Sequence, residues 1–319
     1  MRAVEREYAT LRVEQDGRVL TAFVAAPPHN YMTAAMQRDF VELVDAVERD
    51  RGVGAVVVTG GVPGRYITHY DIGHLLTAAE GSPPLSPRAT AAVVRSVALL
   101  HRRGGAVARR LLRRGPLAGV HRLVEFNLAL ERILRSPAVW IAAVDGPCGG
   151  GGLEMSVFFD LRFGSEEARF VLPELSIGLS TTFGGRRLAQ LVGPSRALEL
   201  MLEARPLDAG EARSWGLVDE VVPGDVVAHA QRRAVRFARR PREVVAAQKG
   251  LFHDPDRTTA AESLLRELIA QGVGVPTERV RSALRRWLEL QGPDGDSTFL
   301  TDPRPWEEGT AVDLVGEAP

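Results

Sequence analysis

The chain has 319 residues, 45% of them hydrophobic and 25% charged, which is enough to bury one large core or two smaller ones. Its formal net charge is zero, which excludes a general electrostatic attraction to nucleic acid or to a membrane surface. It has a single cysteine, no apolar run near the roughly 18 residues of a membrane span and no signal-peptide core in its first ten residues, so we expect a reduced, cytoplasmic protein without a membrane partner.

The first predicted elements are a hairpin, a helix and a buried strand. Residues 11–26 place β-branched runs on both sides of an Asp-Gly turn, which is typical of a β-hairpin. Apolar residues recur at helical spacing over 32–50. The apolar run at 55–59 then predicts a short buried strand, and a loop rich in glycine and proline follows it.

The same alternation of strands and helices continues to residue 290. Strands are predicted at 139–144, 160–163 and 169–172. Helices are predicted at 151–159, 195–204, 209–215, 226–239, 243–252 and 258–290. Strands that alternate with helices indicate an α/β fold.

The segment 141–174 gives the strongest indication of chemistry. An apolar strand leads into four consecutive glycines, Gly149–Gly152, and Glu154 follows in the first turn of a predicted helix, with Glu174 twenty residues further on. Glycines let backbone N–H groups approach a ligand closely, and the start of a helix adds positive potential there. The pattern predicts an oxyanion hole with two carboxylates nearby. Tight packing of the helix on the strand is the alternative for the glycines, and a helix-dipole contact or a solvated strand end is the alternative for the glutamates.

This pattern resembles the signature of the crotonase (enoyl-CoA hydratase/isomerase) superfamily. The strand Ile141–Val144, the pair Asp145-Gly146, a three-residue spacer, Gly150–Gly152 and a helix that ends near Asp160 follow each other in the family's order. The wider similarity covers roughly residues 8–290. The resemblance implies an α/β fold of the ClpP/crotonase type, a spiral of ββα repeats with a C-terminal helical region. It also implies an acyl-CoA thioester substrate and no separate cofactor, because coenzyme A is part of the substrate.

Compared with the family, the chain carries two additions. The resemblance implies a core at 1–224, with an insertion at about 78–122, and a C-terminal helical region at 225–290. The second addition is the tail at 291–319, which is acidic and rich in Gly, Pro and Asp and is therefore expected to be irregular.

The two additions carry opposite charge. Nine arginines and no acid lie between Gly81 and Val124, whereas the tail has seven acids and one arginine. An amphipathic surface helix is the simplest expectation for the insertion; CoA phosphates, a neighbouring subunit or nucleic acid are possible contacts of its arginines, although the absence of interleaved aromatic residues argues against single-stranded nucleic acid. We expect the tail to dock on the insertion through Phe299, Leu300 and Trp306.

The resemblance also gives the candidate residues of the site their roles. Glu154 would hold and activate a water molecule and Glu174 would protonate Cα, which suits hydration because one carboxyl accepts a proton while the other delivers one. The backbone N–H groups of Tyr70 and Gly151 would form the oxyanion hole. The remaining substrate- or CoA-binding positions would be Asn30, Thr68, His69, Asp71, Ile72, Gly150 and Lys249. No metal ligand set is predicted.

Several of these positions have structural alternatives. His69 is a third acid/base candidate, but a packing or hydrogen-bonding role is favoured. Asn30 is alternatively a turn residue at a helix start, and Lys249 is either near a CoA phosphate or on a solvated helix face. Cys148 is expected to be a packed, unreactive thiol, because no base partner is indicated.

The predicted function is that of an enoyl-CoA hydratase, a lyase that adds water across the 2,3 double bond of an acyl-CoA thioester. One alternative is another crotonase-type reaction: isomerisation, decarboxylation or C–C hydrolysis. The other is a catalytically idle scaffold that binds a partner or RNA through its arginines, although nucleic acid is not the expected partner. The family usually has small residues where Thr68, His69 and Tyr70 stand, so acyl specificity stays open.

The resemblance further implies a homotrimer or a hexamer, because the superfamily commonly assembles as trimers or dimers of trimers. The segment 273–290 has apolar residues at helical spacing that are suited to burial against a neighbouring subunit. These residues are Val275, Val280, Leu284, Trp287 and Leu288.

Overall fold

A computed structural model describes residues 2–240, 242–253, 265, 268–269, 271–272, 275–292, 295–307 and 311–312. Its strands are β1 (Leu11–Asp16), β2 (Val19–Val24), β3 (Ala55–Gly60), β4 (Val139–Val144), β5 (Pro147–Gly149), β6 (Leu161–Ser165), β7 (Arg169–Val171), β8 (Leu207–Asp208) and β9 (Glu220–Val222). Its helices are α1 (Ala34–Arg49), α2 (Ile72–Glu80), α3 (Pro87–Arg103), α4 (Gly105–Arg114), α5 (Ala118–Ile133), α6 (Gly151–Ser156), α7 (Gly185–Val192), α8 (Pro194–Glu203), α9 (Ala209–Trp215), α10 (Val226–Phe237), α11 (Arg242–His253), α12 (Glu278–Leu290), α13 (Thr298–Thr301) and α14 (Arg304–Glu307), with 3-10 turns at Ala3–Glu5 and Glu174–Ile177. Within these ranges no helix has the length and apolarity that a membrane span needs.

The strands form two sheets. The larger has the order β1-β2-β3-β4-β6-β9, in which β1 is antiparallel to β2 and the other neighbouring pairs are parallel. The smaller has the order β5-β7-β8. The chain passes from β4 in the larger sheet to β5 in the smaller and then into α6, and it repeats the step from β6 to β7. This α/β path agrees with the predicted ββα repeat.

Helices cover both faces of the larger sheet, because successive side chains of a strand point to opposite faces. On β3, Val56 and Val58 belong to the apolar core that includes Phe40 of α1 and Phe126 of α5. The intervening Val57 packs with α10 instead. A strand that is buried on both faces is apolar throughout, and this continuous apolar run is why the sequence predicts β3.

The predicted elements occur with shifted ends. The helix predicted at 151–159 ends at Ser156, because the next amides bond three residues back and tighten the turn: Phe158 to Met155 at 3.2 Å and Phe159 to Ser156 at 3.1 Å. The helix predicted at 258–290 includes α12, which begins after Thr277; the Thr277 hydroxyl accepts a hydrogen bond from the amide of Val280 at 3.3 Å. Residues 258–264, 266–267, 270 and 273–274 of that prediction lie outside the described ranges.

The Arg-rich insertion is helical and is made of α3, α4 and the start of α5. Ser86 caps α3 by accepting a hydrogen bond from the amide of Ala89, and Pro87 follows at the first helical position. Buried Val94 and Val97 of α3 pack with Val124 of α5, whereas α4 buries none of its residues. The apolar side of α3 is therefore used within the chain, whereas Val107 and Leu111 of α4 are exposed. Eight of the nine arginines are exposed, and Arg122 is half-buried.

The described part of the acidic tail contains two short helices where we expected an irregular segment, and its residues Asp296, Phe299 and Trp306 pack outside the Arg-rich helices α3 and α4. Its described part contains α13 and α14, and Phe299 and Trp306 are buried with Trp287 of α12. Asp296 pairs with Arg65 at 2.7 Å and with His29 at 3.2 Å, and both partners lie outside the insertion. The predicted aromatic anchors are therefore used, but against α12 and the loop after β3; charge balance along the sequence did not predict the partner.

We predicted that the apolar face of α12 packs against a neighbouring subunit, and this partner is also wrong. Val280, Leu284 and Trp287 are at most 2% exposed and pack in the same chain with Ile72 and Ala79 of α2. They are not available to a second subunit. Exposed apolar side chains lie elsewhere, at Val107 and Leu111 of α4 and at Leu198 and Leu202 of α8.

Candidate active site

Glu154 is held at the start of α6 by the backbone of a neighbouring loop. Its side chain is buried, and its Oε1 atom accepts hydrogen bonds from three consecutive amides: Thr182 at 2.7 Å, Phe183 at 3.2 Å and Gly184 at 3.2 Å. Gly184 has to be glycine, because a Cβ there would lie 2.6 Å from the Glu154 Cα atom. Three amides on one oxygen form a fixed site for a negative charge.

Glu174 opens the 3-10 turn after β7 and has a different environment. Its Oε2 atom is buried and has no hydrogen-bond partner within the described part of the chain. Burial raises its pKa well above the usual range, and the neighbouring charge of Glu154 raises this pKa further. Burial also raises the pKa of Glu154, but the three amides oppose that shift. The two environments therefore differ in a way that favours the negative charge on Glu154 and the proton on Glu174.

Two backbone amides lie beside this pair. Gly150 has a φ of 46° and leads into α6, so that Gly151 provides the first amide of the helix. On the other side, the amide of Met32 donates to the carbonyl of His69 at 2.7 Å and the amide of Asp71 donates to that of Met32 at 3.1 Å, which leaves the intervening Tyr70 amide outside this ladder. Across the described residues, neither the Gly151 nor the Tyr70 amide donates to a backbone carbonyl. Both predicted oxyanion donors are thus free of backbone partners.

One cavity of about 40 Å³ is lined by both glutamates, by Gly151 and by Tyr70. Because one water needs about 10–15 Å³ by this measure, the cavity has room for a few water molecules but not for an acyl thioester. Its walls also include Trp287 of α12, together with His69 and Gln271. The structure therefore brings the predicted acid, base and oxyanion donors together in a closed state.

His69 joins this cavity to the tail. Its Nδ1 lies 2.6 Å from the carbonyl oxygen of Tyr70, and its Nε2 is hydrogen-bonded to the Ser297 hydroxyl. A carbonyl can only accept, so Nδ1 carries the proton and Nε2 accepts from Ser297. Burial lowers the pKa of His69 to about 4, and its ring stacks on Tyr31 at 4.3 Å. The favoured packing and hydrogen-bonding role agrees with this geometry, since both ring nitrogens are engaged.

Three predicted ligand-binding residues make structural contacts instead. Asn30 has a φ of 57°, accepts from the amide of Ala26 at 2.8 Å and donates to the carbonyl of Tyr66, so it is the turn residue named as its alternative. The hydroxyl of Thr68 donates to the carbonyl of His29 at 2.6 Å, and Asp71 caps α2. None of these three lines the cavity, whereas the predicted Ile72 and Gly150 do.

Lys249 fits neither of its two predicted settings. Its Nζ atom lies 2.8 Å from Asp160 Oδ2 and donates to the carbonyl of Ala138 at 3.2 Å. The residue is 6% exposed, so it is a buried ion pair and neither a solvated charge nor a free phosphate ligand. Cys148 is buried as predicted, and burial raises the pKa of its thiol above the usual range.

The sequence did not predict the role of Arg122, a residue of the insertion whose side chain contacts Tyr70 at the cavity. Its Nη2 donates to Nε2 of His74 at 2.9 Å and lies 3.5 Å from the hydroxyl oxygen of Tyr70, and its Nε donates to Gln37 at 3.1 Å. Its position as the last of nine arginines gave no signal of this role. Trp287, Gln271 and Ser297 were missed for a similar reason, because no motif marks them.

This two-sheet α/β fold, with a glycine-led helix beside two buried carboxyls, defines a crotonase-like protein. A family model described as "Enoyl-CoA hydratase/isomerase" matches residues 119–294, and the chain belongs to that family. A solved enoyl-CoA hydratase from Bacillus halodurans superposes with a TM-score of 0.70 at 17% identity, covering 87% of this chain and 99% of the other. The predicted crotonase fold is thereby confirmed.

The sequence relatives differ in how much of their length the chain covers. A "probable enoyl-CoA hydratase" of Bacillus subtilis is 27% identical over 290 residues, 89% of this chain and 96% of the relative. A protein of the same description from Rhizobium meliloti is 30% identical over 220 residues, 68% of this chain and 70% of the relative. The glyoxysomal fatty acid beta-oxidation multifunctional protein MFP-a of Cucumis sativus is 39% identical, but the match spans only 19% of its length.

Proposed function

We propose that the protein is an enoyl-CoA hydratase. The observation that carries this proposal is the unequal pair of buried glutamates: three amides stabilise the charge on Glu154, while Glu174 lacks a partner for Oε2 and has a raised pKa. Hydration needs one carboxylate to take a proton and one carboxylic acid to give one. The amides that bind Glu154 suit it to be the carboxylate, and the burial of Glu174 suits it to be the acid.

In the proposed reaction the thioester oxygen lies between the amides of Tyr70 and Gly151, roughly 2.7–3.1 Å from each nitrogen. Glu154 accepts a proton from a water molecule while the water oxygen bonds to Cβ. The electron pair of the double bond moves to Cα and onto the thioester oxygen, where the two amides stabilise the negative charge. Glu174 then gives its proton to Cα. Glu174 then recovers a proton from Glu154 through solvent, and this transfer restores both groups for the next turnover.

The closed cavity adds a condition to this proposal. A volume of about 40 Å³ holds water but not the reacting carbons of a thioester, so the walls must open on binding. The walls contributed by His69 and Trp287 are both covered by the tail, since Phe299 lies 5.5 Å from the His69 ring and 5.3 Å from the Trp287 ring between centroids. We therefore propose that the acyl-CoA substrate enters as the segment 295–307 moves away from His69.

A catalytically idle scaffold is the second candidate, and the closed cavity is the observation that favours it. Isomerisation is a third, because one buried carboxyl suffices to move a proton between carbons. An assay with crotonyl-CoA and longer enoyl-CoAs separates the three candidates when the loss of enoyl-CoA absorbance is followed and the product is identified. A hydratase yields 3-hydroxyacyl-CoA with oxygen from labelled water, an isomerase yields a shifted double bond without label, and a scaffold yields neither. The matched control is the double variant Glu154→Gln, Glu174→Gln.

A further inference from the structure

A second cluster of ligating side chains lies between α3 and α5, apart from the glutamate site. His101 is in the last turn of α3, and His121 and Glu125 are one turn apart on α5. One nitrogen of each ring and one carboxylate oxygen all lie within 4.8 Å of one another. The Nδ1 atom of His101 is 3.1 Å from Nε2 of His121 and 3.7 Å from Oε1 of Glu125. A tetrahedral zinc site with bonds of about 2.0–2.1 Å has ligand atoms about 3.3 Å apart. The two distances from His101 Nδ1 are near this spacing, and the three ligand atoms, which all lie within 4.8 Å of one another, would draw together on binding.

We propose that His101, His121 and Glu125 bind one divalent transition-metal ion, for which zinc is the best fit. Two imidazoles and one carboxylate are a donor set that zinc accepts, with the fourth position left to solvent or to a ligand. The proposal concerns the insertion and is independent of the hydratase reaction.

The surroundings of the cluster support this donor set. His121 is fully buried and Glu125 is 8% exposed, so neither is a solvated surface group. The Nδ1 atom of His121 is buried, has no hydrogen-bond partner among the described residues and lies 3.4 Å from Glu125 Oε2, whereas its Nε2 atom faces His101; one of these two nitrogens would bind the ion.

The nearby arginines affect both the carboxylate ligand and the charge that the bound ion would experience. Arg113 Nη2 donates to Glu125 Oε1 at 2.8 Å, and this bond fixes the carboxylate in the way that ligating carboxylates are usually fixed by an outer partner. Arg109 and Arg113 repel a cation, so the ion must gain its binding energy from short bonds to nitrogen and oxygen, which favours zinc over a weakly held hard cation. Without an ion, the same four side chains form a hydrogen-bonded network, and the experiment has to separate the two states.

The proposed ion would lie at the edge of a cavity of about 540 Å³. His101 and Glu125 line it together with Arg102, Arg109, Arg113 and Arg132. This opening gives the ion a route from solvent and places the fourth ligand on the arginine-lined side. A water molecule or a small anion would complete the coordination there.

A calorimetric titration with ZnCl₂ tests the proposal. The full-length protein is first treated with a chelator to remove bound metal. We expect one zinc ion per chain, and with CoCl₂ the visible absorption of a four-coordinate cobalt site. His101→Gln is the first variant because His101 is the least buried ligand, and Glu125→Gln is the second. Each should weaken zinc binding at least about tenfold, since even the loss of an outer partner costs 10–100-fold.

The control is His229→Gln. His229 lies on α10, away from the cluster, and is paired with Glu220 of β9. It should bind zinc as the unchanged protein does. Circular dichroism melting shows whether each variant is folded, and the folded His101→Gln protein decides the outcome if Glu125→Gln does not fold. Absence of zinc binding by the unchanged protein, or unchanged stoichiometry and affinity in the folded His101→Gln protein, would overturn the proposal.

Discussion

Glu154 and Glu174 line the same small cavity, but three consecutive backbone amides converge on one oxygen of Glu154, whereas Oε2 of Glu174 has no hydrogen-bond partner among the described residues. Two identical side chains thereby acquire different tasks. The difference comes from a loop, 182–184, whose amides converge on one carboxylate oxygen. In the proposed hydration, environment and not residue type would distinguish the base from the acid.

The first prediction concerns the two carboxyls. Glu154→Gln and Glu174→Gln should each lower kcat for hydration by at least about 10²-fold, which is the usual contribution of general acid–base catalysis. Glu174→Gln should also block solvent deuterium exchange at Cα. Glu166→Gln, at an exposed position before β7, is the control and should leave kcat unchanged. Turnover at the unchanged rate in either active-site variant would remove that residue from the mechanism.

The second prediction is a pH dependence of stability. The folded pKa of Glu174 is raised, so the protonated carboxyl favours folding below its unfolded pKa of about 4.3, and this advantage is lost as the pH rises toward the folded pKa. Glutamine stays neutral throughout. The stability of Glu174→Gln relative to the unchanged protein should therefore increase from pH 4 to pH 8, measured by urea unfolding. A constant difference across this range would mean that Glu174 is not perturbed in the folded state.

The third prediction tests how Glu154 is held. In Gly184→Ala the new Cβ would lie 2.6 Å from the Cα and 2.7 Å from the Cβ of Glu154, so the backbone must shift and the three amides must move off the carboxylate. We expect kcat to fall about 10²-fold, since small misplacements of a catalytic group cost this much. Gly119→Ala on α5 meets no atom within 4 Å and serves as the control. A Gly184→Ala enzyme with full activity would show that the amides are not needed.

The fourth prediction concerns opening of the cavity. Phe299 is fully buried against His69 and Trp287, so Phe299→Ala should weaken docking of the tail by about 3–5 kcal/mol. If a minor open state binds the thioester, KM should fall while kcat changes little, because the open fraction rises. Thr301→Ala, at an exposed position of the same helix, should leave KM unchanged. A higher KM in Phe299→Ala would mean that the docked tail belongs to the binding-competent state.

The fifth prediction is the assembly. The family resemblance favours a trimer or a hexamer, although α12 uses its apolar face within the chain. Light scattering at micromolar concentration should give a mass of about three or six times the 34.6 kDa of one chain. Leu198→Glu with Leu202→Glu tests whether the exposed apolar side of α8 contributes, and Val107→Glu with Leu111→Glu tests α4 in the same way. A stable monomer would contradict the prediction.

The local signals in the sequence were sufficient for the longer strands and for the glycine loop, but not for the two- and three-residue strands β5, β8 and β9. The run at 55–59 predicted β3 because a parallel strand buried on both faces has to be apolar throughout. The four glycines before Glu154 predicted the start of α6 because backbone close to a ligand or to another strand leaves no room for Cβ; at Gly152 a Cβ would lie 2.2 Å from the carbonyl oxygen of Ile67. These features depend on neighbours in the chain or on one close contact, so the sequence contains them.

The tertiary structure alone decided the contacts between distant segments. Nothing near Lys249 indicated Asp160 as its partner, and charge balance pointed to the insertion as the partner of the tail, whereas Asp296 pairs with Arg65. The same holds for His69, whose second hydrogen bond comes from Ser297, and for the different environments of Glu154 and Glu174, which depend on the loop at 182–184. Residue order determines which backbone shapes are available, but a pKa, an ion pair or a closed cavity depends on which side chains the completed fold brings within a few ångströms of each other.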